Sequence, residues 1–254
     1  MMKILLTNDD GVHAEGLWAL YHCLRPHHEV TVVAPDRERS AIGHAISLHR
    51  PLRSATVTVN GGQSAVAVNG TPADCVKFAL LEVVPSPPDL VISGINPGAN
   101  VGININYSGT VAAAKEAALY GVPAVAVSLE GPACRHMQDA ARFARWIAER
   151  IQRYGLPRGT LLNVNIPDRP LERVAGVKVS RHGFGRLADR FEKRTDPRQR
   201  PYFWQGADGQ CFEDQPEADG AVLAAGCISI TPLRCDMTDE GFYEQLHRWD
   251  LSFE

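Results

Sequence analysis

Two adjacent aspartates, Asp9 and Asp10, follow an apolar run, Lys3 to Thr7, and are succeeded at once by Gly11. Neighbouring residues of an extended chain face opposite ways, so the two carboxylates share a target only if the chain turns there. Gly11 permits that turn. Two anions held close repel strongly unless a cation sits between them. Oxygen-only ligands suit Mg²⁺, Mn²⁺ or Ca²⁺ rather than a thiolate-bound zinc. The other reading of the same residues is a plain turn in which Asp9 caps the next helix.

A second polar cluster, Pro35-Asp36-Arg37-Glu38-Arg39-Ser40-Ala41-Ile42-Gly43-His44, follows the next apolar run. Ser40 offers a neutral oxygen ligand. Arg37 and Arg39 are suited to phosphate, and equally to solvent or to pairing with Asp36 or Glu38. His44 is a candidate proton donor, although a histidine in such a loop more often has a structural role. A third cluster begins Ser93-Gly94-Ile95-Asn96-Pro97-Gly98-Ala99-Asn100 and continues to Tyr107-Ser108-Gly109-Thr110. Its glycines allow close approach of the backbone to a ligand, and asparagine amide oxygens bind a hard cation without adding charge. Ser108-Gly109-Thr110 opens a helix, where free amide hydrogens and the dipole favour an anion. The plainer alternative is a Gly/Asn-rich turn with Ser108 or Thr110 as N-cap. The segment is neither a P-loop nor a dinucleotide-binding GxGxxG. A hard cation beside a helix N-terminus describes a site for phosphate chemistry.

The elements that must position these clusters are legible from periodicity. Strands are expected at Lys3–Thr7, Glu29–Ala34, Ala65–Val68, Leu90–Ser93, Ala124–Ser128 and Leu161–Asn165. Helices are expected at Glu15–Leu24, from Pro72 to about Val83 with Thr71 as N-cap, at about Thr110–Tyr120 and at Gln138–Tyr154. The alternation and the two-sided apolar strands predict a mainly parallel sheet flanked by helices, an α/β fold. In such sheets ligands bind beyond the carboxyl ends of the strands, where all three clusters fall. The polar segment Arg181–Glu217, with Tyr202, Phe203 and Trp204, predicts an arm or hairpin that packs on another surface. A short helix near Glu217–Ala225, a strand Cys227–Thr231 and a helical piece Thr238–Trp249 complete the chain. A single domain over residues 1–254 is expected, with a core at 1–175 and an arm and C-terminal extension at 176–254.

Of the 254 residues, 44% are hydrophobic and 22% charged, which excludes disorder over most of the chain. A net charge of −3 excludes a basic surface for nucleic acid, so an anionic substrate must be caught locally. The opening apolar stretch is too short for a signal sequence or membrane span. The six cysteines form no CxxC pair and read as reduced thiols, so a cytoplasmic protein is expected.

The chain closely resembles the SurE family of 5′-nucleotidases. The resemblance is carried by Ile4-Leu5-Leu6-Thr7-Asn8-Asp9-Asp10-Gly11, Val33-Ala34-Pro35-Asp36, Arg39-Ser40 and Gly43-His44-Ala45-Ile46. It continues through Leu48-His49-Arg50-Pro51-Leu52, Asn69-Gly70-Thr71-Pro72-Ala73-Asp74, Ser93 to Asn100, Tyr107-Ser108-Gly109-Thr110-Val111 and Gly121-Val122-Pro123-Ala124. Arg194-Thr195-Asp196-Pro197-Arg198 and Ser229-Ile230-Thr231-Pro232-Leu233 follow, and the likeness weakens after about Pro167 and at the C-terminal tail. The resemblance implies a Rossmann-like core with one divalent metal, Mg²⁺ or Mn²⁺, held by Asp9, Asp10, Ser40 and Asn96. It implies phosphate contacts at Asn100 and at Ser108, Gly109 and Thr110. It implies hydrolysis of nucleoside 5′-monophosphates, with 3′-monophosphates and short polyphosphate as further substrates of some members. It also implies a cytoplasmic homodimer or homotetramer joined through C-terminal arms, and no nucleic-acid or membrane partner. The Ala41-Ile42 and Arg234-Cys235-Asp236 segments depart from the family pattern, and neither touches a ligand position.

The chemistry expected is metal-assisted hydrolysis of a phosphomonoester. Asp9 or Asp10 orients or deprotonates a water, or Asp9 attacks to give an aspartyl-phosphate. The helix-end amides at Ser108–Thr110 meet the phosphoryl oxygens. His44 and His49 are the candidates for protonating the leaving group. A different metal-dependent phosphoesterase and a non-catalytic nucleotide sensor are the competing readings.

Overall fold

The computed structural model describes residues 1–59, 61–211 and 215–252, without the side chains of 186–189 and 206–211. Strand β1 (Lys3–Thr7) is buried from Ile4 onward and lies between β2 (Glu29–Pro35) and β5 (Leu90–Pro97), parallel to both. Its side chains alternate between two cores. Ile4 and Leu6 pack with α1 (Glu15–Leu24) and α4 (Met137–Tyr154). Leu5 packs with α2 (Pro72–Phe78) and α3 (Gly109–Leu119) on the other face. A strand covered on both sides has no solvent face, so its sequence is apolar without interruption.

The full sheet adds β3 (Ser54–Val59), β4 (Gln63–Val68), β6 (Ala124–Leu129), β7 (Thr160–Ile166), β8 (Val177–Val179) and β11 (Ile228–Arg234). Its order is β3-β4-β2-β1-β5-β6-β7-β11-β8. The stretch from β4 to β7 is parallel, while β3 runs antiparallel to β4 and β11 antiparallel to β7 at its two sides, with β8 parallel to β11. The chain moves outward from β1 through β2 and β4, then crosses back to β5 on the other flank. That reversal leaves a crevice beyond the carboxyl ends of β1 and β5, the usual ligand position of an open α/β sheet.

The expected elements are present with small changes of boundary. Thr71 caps α2 through a capping box with Asp74, as its sequence predicts. The helix then relaxes into a π-helical turn at Ala79–Val83. Helix α4 buries Ala140, Ala144, Ala148 and Ile151 along one stripe. The strands β3 and β8 escape sequence reading. β3 is a solvent-facing strand of alternating small polar and apolar residues, and β8 has three exposed residues paired only with β11. The polar segment forms an antiparallel hairpin, β9 (Arg186–Thr195) and β10 (Pro201–Cys211), in its own two-stranded sheet. Short helices α5 (Asp219–Ala224) and α6 (Glu240–Leu246) fall within the expected segments. The five cysteines whose side chains are described are free, and no helix among the described residues is long and apolar enough to cross a membrane.

Candidate active site

The turn after β1 is built by Asn8. Its amide donates to the Gly11 carbonyl at 3.0 Å and accepts from the Gly11 N–H at 3.2 Å. Gly11 has φ +104°, and a Cβ there would lie 3.1 Å from the Arg37 backbone. Both the conformation and the space demand glycine. The turn therefore folds Asp9 and Asp10 toward the crevice. Asp9 is not a cap of α1, whose N-cap is Ala14 without a side-chain bond. It crosses instead to α3: Thr110 Oγ1 donates to Asp9 Oδ1 at 2.6 Å. Gly109 is so close that a Cβ would fall 2.7 Å from the Asp9 Cβ.

Asp9 is buried, and desolvation raises its pKa above the ordinary carboxylate range despite the Thr110 hydrogen bonds. Asp10 is pushed up to about 7, first by burial, then by the charges of Asp9 and Glu38. Both carboxylates are thus costly as anions when nothing positive faces them. Asp10 Oδ2 is buried without a hydrogen-bond partner, as are the hydroxyls of Thr7 and Ser93, paired across the ends of β1 and β5. Polar atoms rarely stay buried and unpaired without a purpose.

The second cluster is fastened to the first by the Arg39 N–H, which donates to the Asp9 carbonyl at 2.7 Å. The next residue, Ser40, donates its hydroxyl to Glu38 at 2.6 Å, which leaves the oxygen's lone pairs available. Arg39 donates through Nη2 to the Asn69 carbonyl at 3.0 Å and lies 3.4 Å from Asp36, while its Nε is buried without a partner. In the third cluster the Asn96 amide nitrogen donates to the Gly98 carbonyl at 2.7 Å. That contact orients the amide and frees its oxygen as an acceptor. A hard cation held by Asp9, Asp10, Ser40 and Asn96 fits this donor set: two carboxylates and two neutral oxygens, all attached to the ends of β1, β2 and β5. No group of three or more His, Cys, Asp and Glu with metal-binding geometry occurs among the described residues.

The phosphate candidates divide into two groups. Ser108 is the N-cap of α3, its oxygen accepting from the Val111 N–H at 3.1 Å. Its own O–H remains to donate outward. Thr110 has its hydroxyl engaged by Asp9, so Ser108 and Gly109 are the members of this turn left to meet a substrate. Asn100 is buried in a network that sequence reading missed. Its N–H donates to Asn165 Oδ1 at 2.7 Å, its side-chain amide donates to Ser128 at 2.9 Å, and its carbonyl accepts from Asn163 and Asn165. Two asparagines alternating inside the apolar strand Leu161 to Ile166 were the available signal. Both face the same way, toward the third cluster.

His44 packs against α3 rather than the aspartates. The preceding Gly43 N–H donates to the Tyr107 carbonyl at 2.9 Å, and His44 Nε2 lies 2.8 Å from the buried Glu116 carboxylate of α3. A cavity of about 450 Å³ opens here, bounded by His44, Ser108, Asn106, Val111, Lys115 and His182. His49 is exposed and does not line it.

Comparison with known proteins agrees with the topology. The sequence model of the family described as "Survival protein SurE" matches residues 4–189. A 5′-nucleotidase SurE of Desulfatibacillum aliphaticivorans is 55% identical over 250 residues, covering 98% of this chain and 99% of the relative. A 5′-nucleotidase SurE of Syntrophobacter fumaroxidans is 45% identical over 98% of this chain and 100% of its own length. The crystal structure of a SurE protein from Aquifex aeolicus superposes with a TM-score of 0.85 at 35% identity, covering 96% of this chain and 98% of that one.

Proposed function

The chain belongs to the SurE family, and from that premise we propose that it is a metal-dependent 5′-nucleotidase, hydrolysing nucleoside 5′-monophosphates to nucleoside and phosphate. The observation that carries the reading is the pair Asp9–Asp10 at the turn made by Gly11, Asp9 buried against the N-terminus of α3 and Asp10 half-buried beside it. A site with two costly carboxylates, an unpartnered Asp10 oxygen and free acceptors on Ser40 and Asn96 is built for a divalent cation, Mg²⁺ or Mn²⁺. When bound, such an ion draws charge from the phosphoryl oxygens and lowers the pKa of water.

The chain's own residues do the rest. Ser108 and the Gly109 amide, at the positive end of α3, face the phosphoryl group and stabilise charge gathering on its outer oxygens. Thr110 holds Asp9 in place, and the asparagine network around Asn100 keeps the third cluster rigid. Asp9 has one oxygen on Thr110 and little exposure, which favours attack by water over an aspartyl-phosphate. Asp10, with Oδ2 unengaged, orients that water and takes its proton. The cavity beside Ser108 has room for the nucleoside. Free thiols support a reducing, cytoplasmic setting. Exposed Phe191, Phe203 and Trp204 on the hairpin and Phe242 and Trp249 near the C-terminus support a homodimer or homotetramer joined by those segments. The family's wider range, 3′-monophosphates and short polyphosphate, is proposed on resemblance alone.

The test is phosphate release from a panel of nucleoside monophosphates, sugar phosphates and bis-p-nitrophenyl phosphate, with chelator and with Mn²⁺ restored. Turnover of the mononucleotides that chelator abolishes and Mn²⁺ restores is expected, and Asp9→Asn and Asp10→Asn should remove nearly all of it. Full activity in the chelated enzyme, or preference for the diester, would overturn the proposal.

A further inference from the structure

Glu116 is a buried carboxylate in a helix otherwise lined with alanines, and its described side-chain partner is one histidine from a distant loop. Burying a carboxylate is costly, and a hydrophobic residue would serve packing better at that position. The arrangement makes sense if the histidine is what must be controlled. His44 Nε2 faces Glu116 at 2.8 Å, which assigns the Nε2 hydrogen to the carboxylate and leaves Nδ1 for other work. The backbone fixes where that nitrogen hangs. Gly43 is bonded to the Tyr107 carbonyl at the head of α3, while Glu116 lies two turns along the same helix. The imidazole lines the same cavity as Ser108.

We propose that His44 is the proton donor to the leaving ester oxygen, with Glu116 as its positioning residue; this rests on the nucleotidase reading above. A phosphoryl group at Ser108–Gly109 and a nucleoside in the cavity place the bridging ester oxygen at the boundary His44 occupies. Water forms the new P–O bond and gives its proton to the aspartate pair. The P–O bond to the nucleoside breaks with its electrons passing to the ester oxygen, which receives the Nδ1 proton of the His44 imidazolium. The neutral imidazole left behind keeps its Nε2–H on Glu116, and solvent exchange returns both groups to their starting state. The other basic groups of the cavity, Lys115, His182 and Arg234, are less well placed. Lys115 extends its Nζ to Met237 Sδ at 3.7 Å. His182 is bonded through Nε2 to the Gly102 carbonyl at 2.9 Å. Arg234 pairs with Thr160 at the amino end of β7, remote from the strand ends that carry the aspartates.

Leaving-group dependence separates this role from a structural one. A nucleoside alkoxide needs a proton as it departs, whereas p-nitrophenolate does not. Wild-type kcat/KM is measured on a nucleoside 5′-monophosphate and on p-nitrophenyl phosphate with Mn²⁺ present, then on His44→Asn, His44→Gln and Glu116→Gln. The ratio of nucleotide to aryl activity should fall by about 10²-fold or more in both His44 variants, the usual contribution of a general acid. Glu116→Gln should move the ratio the same way by a smaller factor, and His49→Gln, at an exposed histidine outside the cavity, should keep the wild-type ratio. A His44 variant losing both activities equally would overturn the proposal, as would an unchanged ratio. Failure of the wild type to release phosphate from either substrate would instead overturn the nucleotidase reading itself.

Discussion

Asp10→Asn should stabilise the ion-free protein, although it should also remove nucleotide hydrolysis. The Asp10 carboxyl is raised from an ordinary 3.8 to about 7 by burial and by Asp9 and Glu38, so ionising it in the folded state costs free energy. Each pH unit corresponds to about 1.4 kcal/mol, and an unscreened rise of this size amounts to about 4 kcal/mol. Partial exposure to water reduces the figure to about 2 kcal/mol. For an acid whose folded pKa lies above its unfolded one, stability is complete below pH 3.8 and is lost as pH rises toward 7. The variant lacks this loss, since asparagine carries no charge and its amide hydrogens can meet the neighbouring carboxylates. At pH 8 in EDTA, its melting temperature should exceed the wild type's by about 4–8 °C, given 2–4 °C per kcal/mol for a chain of this size. The gap should close near pH 4. Added Mn²⁺ should raise the wild-type melting temperature and leave the variant unmoved. Calorimetry over pH 4–8 reads all of this. A variant less stable than wild type at pH 8, or a gain independent of pH, would refute the electrostatic account of the pair.

Other consequences are open to direct measurement. Mn²⁺ affinity should rise with pH up to about 7 and then level, with protons released on binding, because the ion competes with the proton on Asp10; calorimetric titration in two buffers shows this, and affinity flat from pH 5.5 to 8 would contradict it. Thr110→Val deletes the 2.6 Å bond to Asp9 and should weaken Mn²⁺ binding about tenfold, roughly 1.4 kcal/mol, with the fold intact; unchanged affinity in the same titration would remove Thr110 from the site. Asn165→Ala strips the buried Asn100 N–H of its partner, leaves the Asn100 carbonyl with Asn163 alone, and should cost about 1–3 kcal/mol in urea unfolding.

The part of the site that sequence reading captured is the part encoded locally. Asp9-Asp10-Gly11 announces a turn because glycine adjoins two like charges, and Thr71-Pro72 announces a helix start because capping is a matter of a few neighbouring residues. The core strands were legible because burial on both faces keeps them mostly apolar. What escaped depends on distance along the chain. Glu116 reads as a surface charge on a helix until His44, seventy-two residues earlier, is found against it. Asn163 and Asn165 look like flaws in an apolar strand until they meet Asn100. Thr110 reads as a phosphate contact, yet its hydroxyl is taken by Asp9 from the far side of the crevice. Strand β3 has too few apolar residues to register because one of its faces is open to solvent.

The most direct measurement is anomalous scattering from crystals soaked in Mn²⁺. A single strong peak between the Asp9 and Asp10 carboxylates, within ligand distance of Ser40 and Asn96 and adjacent to the first turn of α3, is the predicted result. Two carboxylates turned apart with no peak between them, in crystals whose protein hydrolyses nucleotides, would contradict the account.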